Sequence, residues 1–226
     1  MKLQKYLLSV AFVLVSIPIC FGQTESKLVD EFGKMSNDPL QARVFYLMES
    51  LYKNNSRGLV ALSAPKGNSL ARYINERRIE GCLLWMKYDT SYLSYVFAER
   101  NDDILVQLWE VPQNAPKPQF NLVAHDYKLT DLSKPVRLSM LNVSDEYCPL
   151  RFDMEFYSRF LKANPKINGK IVIYEKTAKK YQKERLKYLR ELTLKEKVSP
   201  KQINFARGKY EGVSDAEFWL IPAKKQ

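Results

Sequence analysis

Asp215-Ala216-Glu217-Phe218-Trp219-Leu220-Ile221-Pro222, near the end of the chain, repeats an earlier stretch, Leu105-Val106-Gln107-Leu108-Trp109-Glu110-Val111-Pro112. Tryptophan and proline recur at the same offset, 110 residues. At that offset Pro39-Leu40 also matches Pro149-Leu150, Leu51 matches Leu161, Asn54 matches Asn164, Lys87 matches Lys197 and Tyr95 faces Phe205. Residues 58–62 (Gly-Leu-Val-Ala-Leu) align with 169–173 (Gly-Lys-Ile-Val-Ile) at offset 111, and Asp30-Glu31-Phe32 echoes Asp145-Glu146-Tyr147. Self-similarity at a fixed period is the mark of a repeated unit. The chain therefore reads as two copies of one module, each closed by the tryptophan strand.

Each copy gives the same order of elements. In the first, Ser36-Asn37-Asp38-Pro39 carries capping side chains and a first-turn proline, which start a helix. Leu40, Val44, Leu47, Met48 and Leu51 then form one apolar face at three- and four-residue steps. Residues 59–62 read as a wholly apolar strand, a second helix starts near Ser69, and 93–97 and 104–111 are strands across an Arg-Asn-Asp-Asp turn. In the second copy Leu150, Met154, Phe156, Tyr157 and Leu161 build the first helix, and Asn164-Pro165 stops it. A strand over 170–174, a long helix over 178–196 with Leu186, Leu189 and Leu192 inward, and strands over 203–206 and 216–221 follow. This alternation predicts an α+β fold of two βαβαββ-type units, each a small mixed sheet with two helices on one face. Trp109 and Trp219 are expected to serve packing.

The first 22 residues read as a signal peptide. Lys2 and Lys5 precede an apolar run over 6–19, and Cys20-Phe21-Gly22 permits cleavage before Gln23. The run is shorter than the roughly 20 residues that a membrane span needs. Acylation of Cys20 is disfavoured by Ile19 before it. The first unit then covers 23–112, a proline-bearing linker and connector 113–135, and the second, basic unit 136–226. Residues 120–129 in the connector and 136–143, the lead-in of the second unit, read as strands. Cys82 and Cys148 remain in the mature chain. Cys82 falls at a helical core position, so a buried thiol is preferred to a disulfide.

Residues 184–189 (Glu-Arg-Leu-Lys-Tyr-Leu), then 198–203 (Val-Ser-Pro-Lys-Gln-Ile) and Gly208, resemble the OmpA-like C-terminal domain. Arg57-Gly58-Leu59-Val60 and the Trp-x-x-Pro endings resemble small exported bacterial proteins with a degenerate form of that fold. The likeness covers most of 28–112 and 144–222. It implies association with peptidoglycan, an aspartate after the first core strand holding the ammonium of the wall peptide and an arginine in the next helix its carboxylate. Here Glu175-Lys176 and Ser63-Ala64-Pro65 follow the two strands, so neither copy has the aspartate. Arg185 falls at the arginine position. Glu175 and Arg185 are thus the candidate ligand pair, an ordinary surface ion pair being the alternative.

The net charge of +11 is unevenly spread: 28–112 balance to −1, whereas 162–209 carry +11. Lys179, Lys180, Lys183, Lys187 and Arg190 form a basic helix surface able to meet an anionic polymer. The bland reading is a solvated face whose lysine stems cover apolar surface. Export argues against nucleic acid as partner. The lone histidine, His125, stands beside Asp126 without a Gly-x-Ser-x-Gly turn, and two cysteines with one histidine make no zinc site. The run Trp85, Tyr88, Tyr92, Tyr95 and Phe97 suits either a sugar-stacking surface or, by alternation at Tyr95 and Phe97, the core. The expectation is an exported, periplasmic or secreted, non-enzymatic envelope binding or scaffold protein. It has no cofactor, no metal and no transmembrane segment after signal cleavage, and its partner is peptidoglycan or another anionic envelope polymer. A protein-interaction module of an envelope complex is the alternative, and a hydrolase centred on His125 a more distant one.

Overall fold

The structure, a computed structural model, describes residues 25–129, 132–141, 150–175, 179–209 and 216–222. The signal segment with Cys20, the Asp145-Glu146-Tyr147 echo and Cys148 lie outside the described residues, as does any Cys82–Cys148 pairing. The described chain is mixed α/β, with four helices and two small mixed sheets.

The first sheet contains β1 (Lys27–Phe32), β2 (Arg57–Pro65), β3 (Leu93–Arg100), β4 (Leu105–Val111) and β5 (Leu122–Val123), in the order β1-β4-β2-β3-β5. β2 runs parallel to β3 and antiparallel to β4, and β1 is antiparallel to β4. The second sheet contains β6 (Val136–Leu141), β7 (Asn168–Glu175), β8 (Ile203–Lys209) and β9 (Ala216–Ile221), in the order β6-β9-β7-β8. There β7 is parallel to β8 and antiparallel to β9, and β6 is antiparallel to β9. The register of the first strand shifts between Leu28 and Asp30 in one sheet and between Arg137 and Ser139 in the other.

Helix α1 (Asn37–Asn54) buries Leu40, Val44, Leu47, Met48 and Leu51, the face expected from spacing. Its start differs from expectation. Ser36 makes no capping bond, and Asn37 instead accepts a hydrogen bond from Arg78 on α2 (Ser69–Trp85) at 3.0 Å. Helix α3 (Leu150–Ala163) buries Met154, Phe156, Tyr157, Phe160 and Leu161. In α4 (Lys179–Lys195) Leu189 and Leu192 are buried, but Leu186 is only half-buried, for a reason taken up below. Lys87 and Lys197, just after α2 and α4, take left-handed backbone angles, φ 59° and 57°. The next amide in each case reaches back to close the helix, Tyr88 to Leu83 and Val198 to Thr193, the six-to-one bond of a Schellman ending.

The tryptophans are not where packing alone would put them. Alternation turns Val106, Leu108 and Glu110 of β4 toward the helices, and Phe218 and Leu220 of β9 likewise. Trp109 and Trp219, of opposite parity, are half-buried on the far faces. Trp109 stacks edge-on against Phe120 of the connector at 6.2 Å, and the Trp219 indole donates to Glu217 at 2.9 Å. Of the strand expected over 120–129, only Leu122 and Val123 pair with a neighbour, and that neighbour is β3 of the first sheet. Strand β6 begins at Val136 as expected.

Glu110 fastens α1 to this sheet. Its buried carboxylate accepts from Ser50 at 2.7 Å, Asn54 at 2.7 Å and Ser56 at 2.8 Å. Burial pushes its pKa up, but these three hydrogen bonds outweigh it and hold the carboxyl below the ordinary glutamate value. The folded state thus releases this proton more readily than the unfolded chain does. The resulting stabilisation is complete above the ordinary glutamate pKa and is lost as pH falls through the lowered folded value. Glu110→Gln is expected to lower stability in urea by about 1–2 kcal/mol near neutral pH. Its deficit relative to wild type should shrink as pH falls from the ordinary glutamate pKa through the lowered folded value, below which both chains carry a neutral side chain.

Candidate functional site

Helix α2 presents Tyr73, Glu76 and Glu80 along one side, with the two carboxylates one turn apart. Glu76 is 2% exposed. Like charges at this spacing repel, so a buried pair needs cations and donors. The connector and α3 supply them. His125 Nε2 lies 3.0 Å from Glu76 Oε1, and the Tyr127 hydroxyl donates to Glu76 Oε2 at 3.1 Å. Arg159 of α3 donates to the Tyr127 hydroxyl at 2.9 Å and stands 4.0 Å from Glu80 Oε2. Rings close the cluster: Tyr127 stacks on Tyr73 at 4.6 Å, Phe160 meets Tyr73 edge-on at 5.1 Å, and His125 lies 4.2 Å from Phe97. Asn164, at the end of α3, donates to the Tyr127 carbonyl and accepts from Leu129 N–H, fixing the connector's exit.

Burial and the neighbouring Glu76 raise the pKa of Glu80, with Arg159 opposing them. Burial raises both Tyr127 and Tyr95, and the Tyr95 hydroxyl finds no hydrogen-bond partner among the described residues. For Arg159, burial disfavours the charge, but Tyr127, Glu80 and Glu76 reverse that, so the guanidinium stays charged. The site straps the two sheets together, with Arg159 set against both Glu80 and the Tyr127 hydroxyl. The partner of His125 is the Glu76 carboxylate and not a serine. The histidine is exposed on the connector, and Asp126 accepts from Lys128 N–H across a turn. Among the described residues no group of three or more metal-type ligands assembles.

The corresponding place in the second sheet, between α4 and β8, looks different. There Ile173, Leu186, Arg190, Phe205, Ala206 and Arg207 line a cavity of about 220 Å³. The Arg190 guanidinium lies 5.6 Å over the Phe205 ring. Among the described residues no carboxylate pairs with Arg190 or Arg207, and both side chains are exposed. At offset 110, Leu186, Arg190, Phe205 and Arg207 stand where the first sheet has Glu76, Glu80, Tyr95 and Phe97. One cleft is acidic and filled by the chain itself. The other is basic and open.

Of the residues singled out from sequence, only Arg190 lines this cavity. Glu175 ends β7 opposite Lys209, and Arg185 lies in α4; their side chains, with those of Lys179 and Lys180, are outside the described residues. Lys183 and Lys187 are exposed, and Lys187 pairs with Glu191 at 3.8 Å. The aromatic run divides. Phe97 is core, whereas Trp85, Tyr88 and Tyr92 join Phe45 and Tyr52 in an outward-facing cluster. Tyr88 donates to Glu49 at 2.8 Å, and burial together with that bond pushes its pKa to about 12. Arg207, Glu76, Glu80 and Arg159 were not legible as site residues singly, but the offset of 110 pairs the two clefts position by position.

Fold and site define a mixed α/β protein with a closed acidic cleft and an open basic one. No family model, curated protein or solved structure matches the chain.

Arg159→Ala removes the donor to Tyr127 and the cation beside Glu80. It is expected to destabilise the fold by about 1–3 kcal/mol in urea unfolding. Adding Glu80→Gln, which removes the stranded charge, should recover part of that loss; strictly additive losses would show that the two groups are not coupled.

Proposed function

We propose that this chain is an exported, non-enzymatic binding protein of the cell envelope, built from two copies of one OmpA-like unit. In this reading the first copy is the scaffold and the second carries the ligand site. Duplication is supported by the two strand orders and by α2 and α4, both of 17 residues. The left-handed Lys87 and Lys197 add to this, lying 110 residues apart in sequence. Gly58 and Gly169 offer a further parallel: a Cβ on either would come within 3.0 Å of Leu51 or Leu161, themselves a matched pair.

The single observation that carries the functional reading is the inverted cleft. Where the first unit has Phe97 under the connector and Glu80 beside Arg159 of α3, the second leaves Arg190 and Arg207 over an apolar floor, without a partner among the described residues. Two guanidinium groups beside Phe205 suit a carboxylate, which they bind with charge-assisted and often bidentate hydrogen bonds. A carboxylate could come from the wall peptide of peptidoglycan or from a protein partner. The edge of β8 beside the arginines, which no described strand covers, favours the protein.

The test is retention of the mature chain, residues 23–226, on two carboxylate-bearing probes, purified insoluble peptidoglycan and immobilised poly-L-glutamate. Binding to at least one is expected, falling with salt and weakening at least tenfold in the double variant Arg190→Glu, Arg207→Glu, roughly as loss of charge-assisted pairs requires. Equal retention of wild type and double variant would overturn the assignment of the site.

A further inference from the structure

The first sheet has a fifth strand, and its position is informative. Strand β5 lies along the outer edge of β3, with Val123 opposite Phe97 and Leu122 opposite Ala98, and Glu99 N–H donates to the Asn121 carbonyl at 3.1 Å. Two residues beyond Val123 the chain sets His125 against Phe97 and Glu76. Strand addition and cleft filling are thus one continuous contact. The second sheet ends at β8, and no described strand pairs with its outer edge. An open edge offers a ladder of unpaired N–H and C=O groups, which extended peptides use by adding a strand.

The adjoining cavity sets the ligand's size and charge. Its volume of about 220 Å³ falls below the roughly 300–1,000 Å³ usual for small-molecule sites. It suits one side chain rather than a sugar ring system. In the first unit an acidic cleft receives the imidazole of His125 and the guanidinium of Arg159. In the second the cleft walls are Arg190 and Arg207, so the complementary group is acidic. A glycan or lipid surface would engage the arginines but has no peptide ladder to continue the sheet.

We infer that β8 takes an extended segment of a partner polypeptide as an added strand, with an aspartate or glutamate side chain seated between Arg190 and Arg207. The segment has the pattern of Leu122-Val123-Ala124-His125 with the final charge inverted: two apolar residues, a spacer and an acid. This rests on the reading that the second unit is the binding unit, and adds that the ligand is protein and that its backbone takes part.

The probe is a fluorescent synthetic peptide of residues 119–129 with the substitution H125E, titrated against the mature chain by anisotropy. Saturable binding is expected. It should weaken at least tenfold with Arg207→Glu, with alanine in place of the peptide's glutamate, or with N-methylation of the peptide amides facing β8; Lys53→Glu, on the first unit, should leave it unchanged. Equal binding of N-methylated and unmodified peptide overturns strand addition while leaving carboxylate recognition standing. Binding of peptidoglycan but of neither the peptide nor poly-L-glutamate overturns the inference in favour of the wall polymer. Binding of none of these overturns both the inference and the function it rests on.

Discussion

Two carboxylates one turn apart on a buried helix face are the constraint around which this molecule is arranged. Glu76 and Glu80 can be covered only if cations and donors come with the cover. The chain supplies them from two directions, His125 and Tyr127 from the connector and Arg159 from α3. The connector therefore behaves as part of the first sheet, adding β5 to its edge, and as the joint that brings α3 against α2. Tyr73, Tyr127, Phe156 and Phe160 interlock across that joint, and the apolar core runs through it from one sheet to the other.

The same constraint explains why the second cleft is built differently. With Leu186 in place of Glu76 and Arg190 in place of Glu80, nothing there requires an internal cover, and the half-buried Leu186 lines an open cavity. The charge imbalance between the halves acquires a location in this way. Much of the excess positive charge is dispersed over exposed lysines, some of them satisfied locally, as Lys187 is by Glu191. Arg190 and Arg207 stand apart because they share an apolar floor and an unpaired strand edge.

Much of this architecture was legible in the sequence, because helix faces and strands follow local periodicity. Leu40 to Leu51 and Met154 to Leu161 gave their buried faces directly, and β2 to β4 and β6 to β9 were placed by their apolar runs, whereas of the strand read over 120–129 only Leu122 and Val123 pair. Trp109 and Trp219 misled in one respect. They mark corresponding strands, but parity turns them away from the helices, and the core positions are their neighbours Leu108 and Phe218. The strap at His125 was illegible for a different reason. Its partner Glu76 lies 49 residues away, and the strand read over 120–129 ran through His125, whereas the chain leaves the sheet after Val123. Arg207 fell just past the strand read over 203–206, whereas β8 runs on to Lys209, and only its alignment with Phe97 in the other half shows what position it holds.

Backbone hydrogen exchange along β3 and β8 of residues 23–226 tests the central claim, that one cleft is closed by the chain and the other kept open. The account predicts slow exchange at Phe97 and Glu99, whose amides face β5, and fast exchange at Phe205, Arg207 and Lys209, the matching positions on β8. Equal, strong protection at both sets in the isolated protein would contradict it.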